Sequence, residues 1–285
     1  MFRLRQGGFG GIRVRPPTTA AIASAKNKKT LIRGAWSGDA GYACKDNIIW
    51  VLMEWKFSKE RPLRVVTLCS GYDSQLMALR NLGIPYECVG WSEIDKYAIM
   101  AHNAVFPEIA DRNLGDMTKI DWSKVPEHDL LFYSTPCTDF SNAGKQAGGE
   151  EGSGTRSSIL WYTRNAIIAK KPTYLVMENV KALVSDKFRP LFLKWCDELT
   201  GYGYTNFCQV LNAKDYGIPQ NRERIFVVSI LGDAWFSFPQ PVELRLRLKD
   251  LLEDKVDEKY YLPQDKVDKF IEQLPDEKLK ELEDE

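Results

Sequence analysis

The sequence predicts an α/β protein built on a doubly wound, mostly parallel β-sheet. Three observations carry that prediction. Short apolar, β-branched runs recur along the central chain and alternate with stretches of helical periodicity, the pattern of parallel strands joined by crossover helices. The first run, 64–70, ends at Gly71 and leads into a helical segment closed by Gly83. That is the strand, glycine turn and helix that open a nucleotide-type fold. A later run, 129–134, stops at Thr135-Pro136 and delivers Cys137 into a polar, glycine-rich segment. A cysteine at that point sits where open α/β sheets bind ligands, beyond the carboxyl ends of the strands.

Composition bounds the rest. The 285 residues, 44% hydrophobic and 27% charged, suit one large soluble α/β domain with appendages. Zero formal net charge argues against a generic polyanion binder. No apolar run approaches the ~20 residues that span a bilayer, and the basic N-terminus lacks an apolar signal core. The six cysteines are scattered, no CxxC pair occurs, and there are only two histidines. These features point away from a metal site and toward a reduced, cytoplasmic protein.

Residues 1–33 hold eight Lys/Arg and no Asp/Glu amid glycine and proline pairs. The segment 1–45 therefore reads as a basic, flexible leader, solvated or touching nucleic-acid phosphates. Residues 46–57 suit a short buried helix capped by Asp46. After the first strand, 73–82 reads as a helix, 86–92 as the second strand and 97–105 as a helix. A short third strand is expected at 113–117 and a fourth at 129–134. Residues 155–170 have helical periodicity, 173–180 read as a strand, 188–199 as an amphipathic helix, and 204–211 with 224–231 as a final pair of strands. The catalytic domain is expected to run over 46–240, followed by a charged helical extension, 241–285, with a helix over 266–283.

Several polar residues fall at strand boundaries. Gly71 lets backbone approach a ligand, and Glu93, about 20 residues further on, is placed to accept ribose hydroxyls. Asp116 and Met117 can offer a hydrogen bond and an apolar contact to an adenine-like ring. No GxGxxG or GxxxxGK[ST] is present, which leaves an adenosyl compound open. Each residue also has a plainer reading. Glu178 can pair at a strand end, Arg222 and Arg224 can form a surface cluster with Glu223, Asp95 can cap a helix, and Cys69 can be core. Trp161, Trp195 and Trp235 read as packing, and His102 and His128 as surface or interface residues. A thiol hydrolase would need a histidine near Cys137, and neither of these two is well placed.

Thr135-Pro136-Cys137, Glu178-Asn179-Val180 and Gln220-Asn221-Arg222-Glu223-Arg224, in that order, resemble the motifs of cytosine-5 DNA methyltransferases. The turn at Leu68-Cys69-Ser70-Gly71, Glu93, Asp116 and the segment Gly154–Leu160 match the same family's cofactor motifs, so the resemblance covers roughly residues 62–232. It implies the Rossmann-like sheet of S-adenosylmethionine-dependent methyltransferases, with Cys69, Ser70, Gly71, Glu93, Ile94, Asp116, Met117, Pro136 and Leu160 around S-adenosylmethionine. It further implies that Cys137 adds to carbon 6 of a cytosine flipped out of duplex DNA, so that carbon 5 becomes enamine-like and accepts the methyl group. Glu178, protonated and with a raised pKa, would hydrogen-bond ring nitrogen 3. Arg222 and Arg224 would orient the base carbonyl and nearby anionic groups, and residues 138–154, Gln146 included, would form a lid.

Family members continue into a target-recognition domain and two further motifs, and no second globular block follows here. A fragment, a split enzyme whose second subunit carries target recognition, or a permuted order with 46–57 as the displaced helix would each account for this. The same motifs suit an RNA cytosine methyltransferase, or a module that binds S-adenosylmethionine without catalysis. The setting implied is prokaryotic or phage-like.

Overall fold

The computed structural model describes residues 57–140 and 147–275. The basic leader, all of the helix expected at 46–57 except Phe57, Gln146 and the end of the helix expected at 266–283 lie outside them. Within them, strands β1 (Leu63–Leu68), β2 (Tyr86–Ser92), β3 (Leu130–Tyr133), β4 (Tyr174–Val180), β5 (Tyr204–Asn212) and β6 (Glu223–Leu231) form one sheet in the order β2-β1-β3-β4-β6-β5. The first four are mutually parallel, and β6 runs antiparallel to both β4 and β5. The fold is the mixed α/β sheet that the sequence predicts.

Strand residues alternate between two cores, which is why these runs are apolar throughout rather than every second residue. Val66, Leu68, Leu131, Tyr133, Leu175 and Met177 face one cluster. There they meet Ala166 and Ile167 of α3 (Thr163–Lys170) and Leu191, Phe192, Trp195 and Leu199 of α4 (Arg189–Gly201). Leu63, Val65 and Leu130 face the other cluster, with Leu76 and Leu79 of α1 (Ser74–Asn81) and, beyond α2 (Lys96–Val105), Phe106 and Ile109. Tyr133, Trp161 and Trp195 interlock edge to face in the first core, so both of these tryptophans are packing residues.

Four expectations change. The third strand shrinks to a single bridge, Trp91 to Asn113, because the Asn113 side chain takes the Glu93 and Gly115 amides that a ladder would use and the chain then turns at Gly115, φ 73°. The helix at 155–170 divides into a 3-10 segment, Arg156–Tyr162, and α3. Cys69 lies past the end of β1 with φ 52°, not within the strand. Both histidines are buried: His102 stacks on Trp91 at 3.6 Å between centroids, and His128 sits against the Pro126 carbonyl.

Beyond β6 the chain runs along the edge strand, with Phe236 against Phe207 and the Val242 amide donating to Asp215. After that it is exposed almost throughout. It forms only two 3-10 turns and α5 (Gln264–Ile271), shorter among the described residues than the helix expected there. No helix among the described residues is long and apolar enough to cross a membrane.

Candidate active site

Parallel β1 to β4 deliver their carboxyl ends to one edge of the sheet. Because β6 is antiparallel, its beginning reaches that same edge: Arg224 is in register with Val180. Topology therefore gathers the turn after β1, Glu93, Cys137, Glu178 and Arg224 at one end.

The turn after β1 alternates left-handed residues, with φ 52° at Cys69, 58° at Gly71 and 65° at Asp73. Gly71 needs its conformational freedom here, and open space lies where a side chain would project. Its amide donates to Glu93 Oε2 at 3.0 Å, while Oε1 accepts from the Ile94 and Asp95 amides at 2.8 and 3.0 Å. Asp95 caps α2, accepting from the Tyr97 and Ala98 amides. Ser70 is buried and its hydroxyl has no partner. Asp116 accepts from Thr118 and lies 3.4 Å from Lys119, and the Thr118 bonds hold its carboxyl below the usual carboxylate range. Met117 is buried with its sulfur 3.4 Å from Cys69 Sγ. Burial, with Glu93 and Asp116 nearby, pushes the Cys69 thiol up to about 12. Ile94 is exposed beside this turn and Leu160 is buried in the first core.

Cys137 is half-buried in a turn that Phe140 closes by donating its amide to the Cys137 carbonyl at 3.0 Å. Asn179 Nδ2 donates to the Thr135 carbonyl at 3.1 Å, tying the end of β4 to the strand exit before the cysteine. Ser157 Oγ donates to the Pro136 carbonyl at 2.8 Å. Glu178, next to Asn179, meets Arg224 with Nε 3.0 Å from Oε1, both partly shielded from solvent. Glu223 pairs instead with Lys181. Arg222 is not brought to Glu178. Its side chain is exposed, and its backbone is held by Asn212 and Ala213.

Asn113, Ser157 and Asp139 were not legible as site residues. Asn113 accepts from the Glu93 amide and donates to the Glu93 carbonyl at 3.1 Å, fixing the strand end that carries the acid. Its only sequence signal is a polar residue at the end of an apolar run. Among the described residues no group of His, Cys, Asp or Glu has the spacing of a metal site.

A family model described as C-5 cytosine-specific DNA methylase matches residues 63–283. The type II methyltransferase M2.ScrFI of Lactococcus lactis subsp. cremoris is 38% identical over 257 residues, covering 72% of this chain and 71% of that protein. The orphan methyltransferase M.Rho11sI of Bacillus phage rho11s is 36% identical over 252 residues, and this chain spans 49% of its length. Among solved structures, S. pombe Dnmt2 methyltransferase superposes with a TM-score of 0.57 at 19% identity, covering 75% of this chain and 67% of that one, a likeness of fold. The extent of the family match and the M2.ScrFI identity together place the chain in the C-5 cytosine-specific DNA methylase family.

Proposed function

We propose that this chain transfers a methyl group to carbon 5 of cytosine in double-stranded DNA, using S-adenosylmethionine and a covalent cysteine adduct with a flipped base. One observation supports the reading: Cys137 follows β3, Glu178 lies in β4 and Arg224 near the start of antiparallel β6, so chain direction carries all three to the end of the sheet that holds the glycine turn and Glu93, and Arg224 pairs with Glu178.

The residues of that turn suit an adenosyl ligand. Ser70 offers a buried hydroxyl without a partner, Gly71 an open approach, Glu93 a carboxylate for ribose, and Met117 an apolar wall. Ile94, Asp116, Pro136 and Leu160 complete the set assigned to it. S-adenosylmethionine, when bound there, supplies an electrophilic methyl group. The remaining work falls to side chains. The Cys137 thiolate attacks carbon 6 and pushes electron density toward carbon 5. Glu178, with Arg224 fixing one carboxyl oxygen, points the other toward ring nitrogen 3 and shares a proton as charge builds there. Arg224 orients the acid. Arg222, exposed at the start of β6, faces the base carbonyl or a phosphate. The flipped base is needed because carbon 6 is out of reach within a stacked duplex.

Residues 46–240 form the catalytic domain. The basic segment 1–45 and the extension 241–285 are appendages to it. The relatives named above come from a bacterium and a phage, in keeping with a cytoplasmic setting in such a host.

Trapping on duplex DNA containing 5-fluorocytosine tests the reading, since fluorine at carbon 5 blocks release of the adduct. With S-adenosylmethionine the full chain is expected to give a band stable to denaturing gel electrophoresis, and Cys137→Ala none. An adduct that survives Cys137→Ala would assign the nucleophile elsewhere.

A further inference from the structure

The turn that presents Cys137 is clamped from one side by a residue outside the catalytic set. Ser157, fully buried at the start of the 3-10 segment, makes three hydrogen bonds that bracket the cysteine. Its hydroxyl donates to the Pro136 carbonyl at 2.8 Å, one residue before Cys137, and accepts from the Asp139 amide at 3.2 Å, two residues after it. Its own amide donates to Asp139 Oδ2 at 2.9 Å. The Asp139 carbonyl also accepts from the Gly148 amide at 3.0 Å. Behind the clamp, Gly149 lies so close that a Cβ would stand 2.5 Å from the Phe140 ring and 3.0 Å from the Ser157 carbonyl oxygen. Trp161 Nε1 donates to the Gly149 carbonyl at 2.8 Å.

We infer that Ser157 and Asp139 are positioning residues that fix the attack direction of the Cys137 thiol. The inference rests on Cys137 being the nucleophile. The chemistry favours this role over simple stability. Removing one hydroxyl from a buried serine leaves the first core's aromatic packing untouched, but releases the backbone on both sides of the cysteine. A nucleophile displaced by about 1 Å can lose on the order of a hundredfold in rate.

The test uses the full chain and three variants. Ser157→Ala and Asp139→Ala are each expected to slow trapping on 5-fluorocytosine DNA by about tenfold to a hundredfold. Their affinity for S-adenosylmethionine and their urea midpoints should stay at wild-type values. Asp139→Asn keeps an oxygen acceptor for the Ser157 amide and is expected to restore the wild-type rate. Trapping at the wild-type rate in Ser157→Ala, or a parallel loss of cofactor affinity, would overturn the inference. If the wild-type chain forms no adduct, the reading of Cys137 has failed, and the clamp is judged by amide exchange in the same variants. Faster exchange at Asp139 and Phe140 in Ser157→Ala supports it, and unchanged exchange overturns it.

Discussion

Among the described residues three with side chains have left-handed backbone, and two of them, Cys69 and Asp73, lie in the turn after β1 while the third, Lys171, caps α3. Cys69 and Asp73 both adopt left-handed conformations that cost a residue with a side chain on the order of 1–3 kcal/mol. Asp73 has compensation on its side chain: the Thr67 hydroxyl donates to Oδ2 at 2.7 Å, and the His102 ring lies 3.6 Å from it, all fully buried. Cys69 has the Met117 thioether. The environments of the cysteines differ sharply as a result. Burial pushes Cys69 and Cys88 each up to about 12, so at pH 8 only about one thiol in ten thousand is thiolate at either position. Brief treatment of the native chain with iodoacetamide at that pH, read by peptide mass spectrometry, is expected to label half-exposed Cys137 and spare both. Labelling of Cys69 at a comparable rate would mean that the turn opens in solution.

At the scale of elements, the connection into β3 carries a pH response. His128 is buried just before the strand, and burial pulls its pKa below 6.5, against the smaller opposing effect of the Pro126 carbonyl. The folded form therefore holds the ring neutral, while the unfolded chain takes up a proton below about pH 6.5. This contribution to stability is intact above pH 6.5 and is lost as the pH falls below it, flattening once the folded pKa is passed. Between pH 7 and 5.5 the urea-derived stability should fall, and His128→Asn should remove most of that slope. A slope unchanged by the substitution would assign the acid sensitivity to other groups. The strands themselves were legible because buried parallel strands are apolar on both faces, and 86–92 reads directly as β2. The bridge at Asn113 was not, because it depends on a side chain replacing a ladder bond. Buried His102 escaped notice because its partner Trp91 belongs to a separate run.

Across the whole molecule, the stable mass ends where the chain leaves β5. Tyr216 holds the Pro239 carbonyl, Asp215 holds the Val242 amide, and most side chains after that are exposed. Ending the chain after Leu244 is expected to change folding stability by less than about 0.5 kcal/mol in urea denaturation. A larger loss would show that the extension packs on the sheet. The proposed catalytic set was legible by contrast, because Cys137, Glu178 and Arg224 sit at the ends of apolar runs, and chain direction alone carries those ends to one side of the sheet. Arg222 was assigned with Arg224 from the same five-residue motif; it lies one residue before β6 begins and is exposed.

The direction of β6 also sets an order of events during synthesis. Among the described residues β5 pairs only with β6, and β6 fills the place between β4 and β5. A chain emerging from the ribosome thus completes Cys137 and Glu178 well before Arg224, and at about 5–20 residues per second the interval lasts on the order of seconds. Until β6 inserts, β4 is a bare sheet edge and β5 has no neighbour, a state that invites pairing with other chains. The same strand that covers the edge brings the guanidinium to the acid. A nascent copy is therefore vulnerable and without its completed chemistry together, and one insertion event ends both conditions.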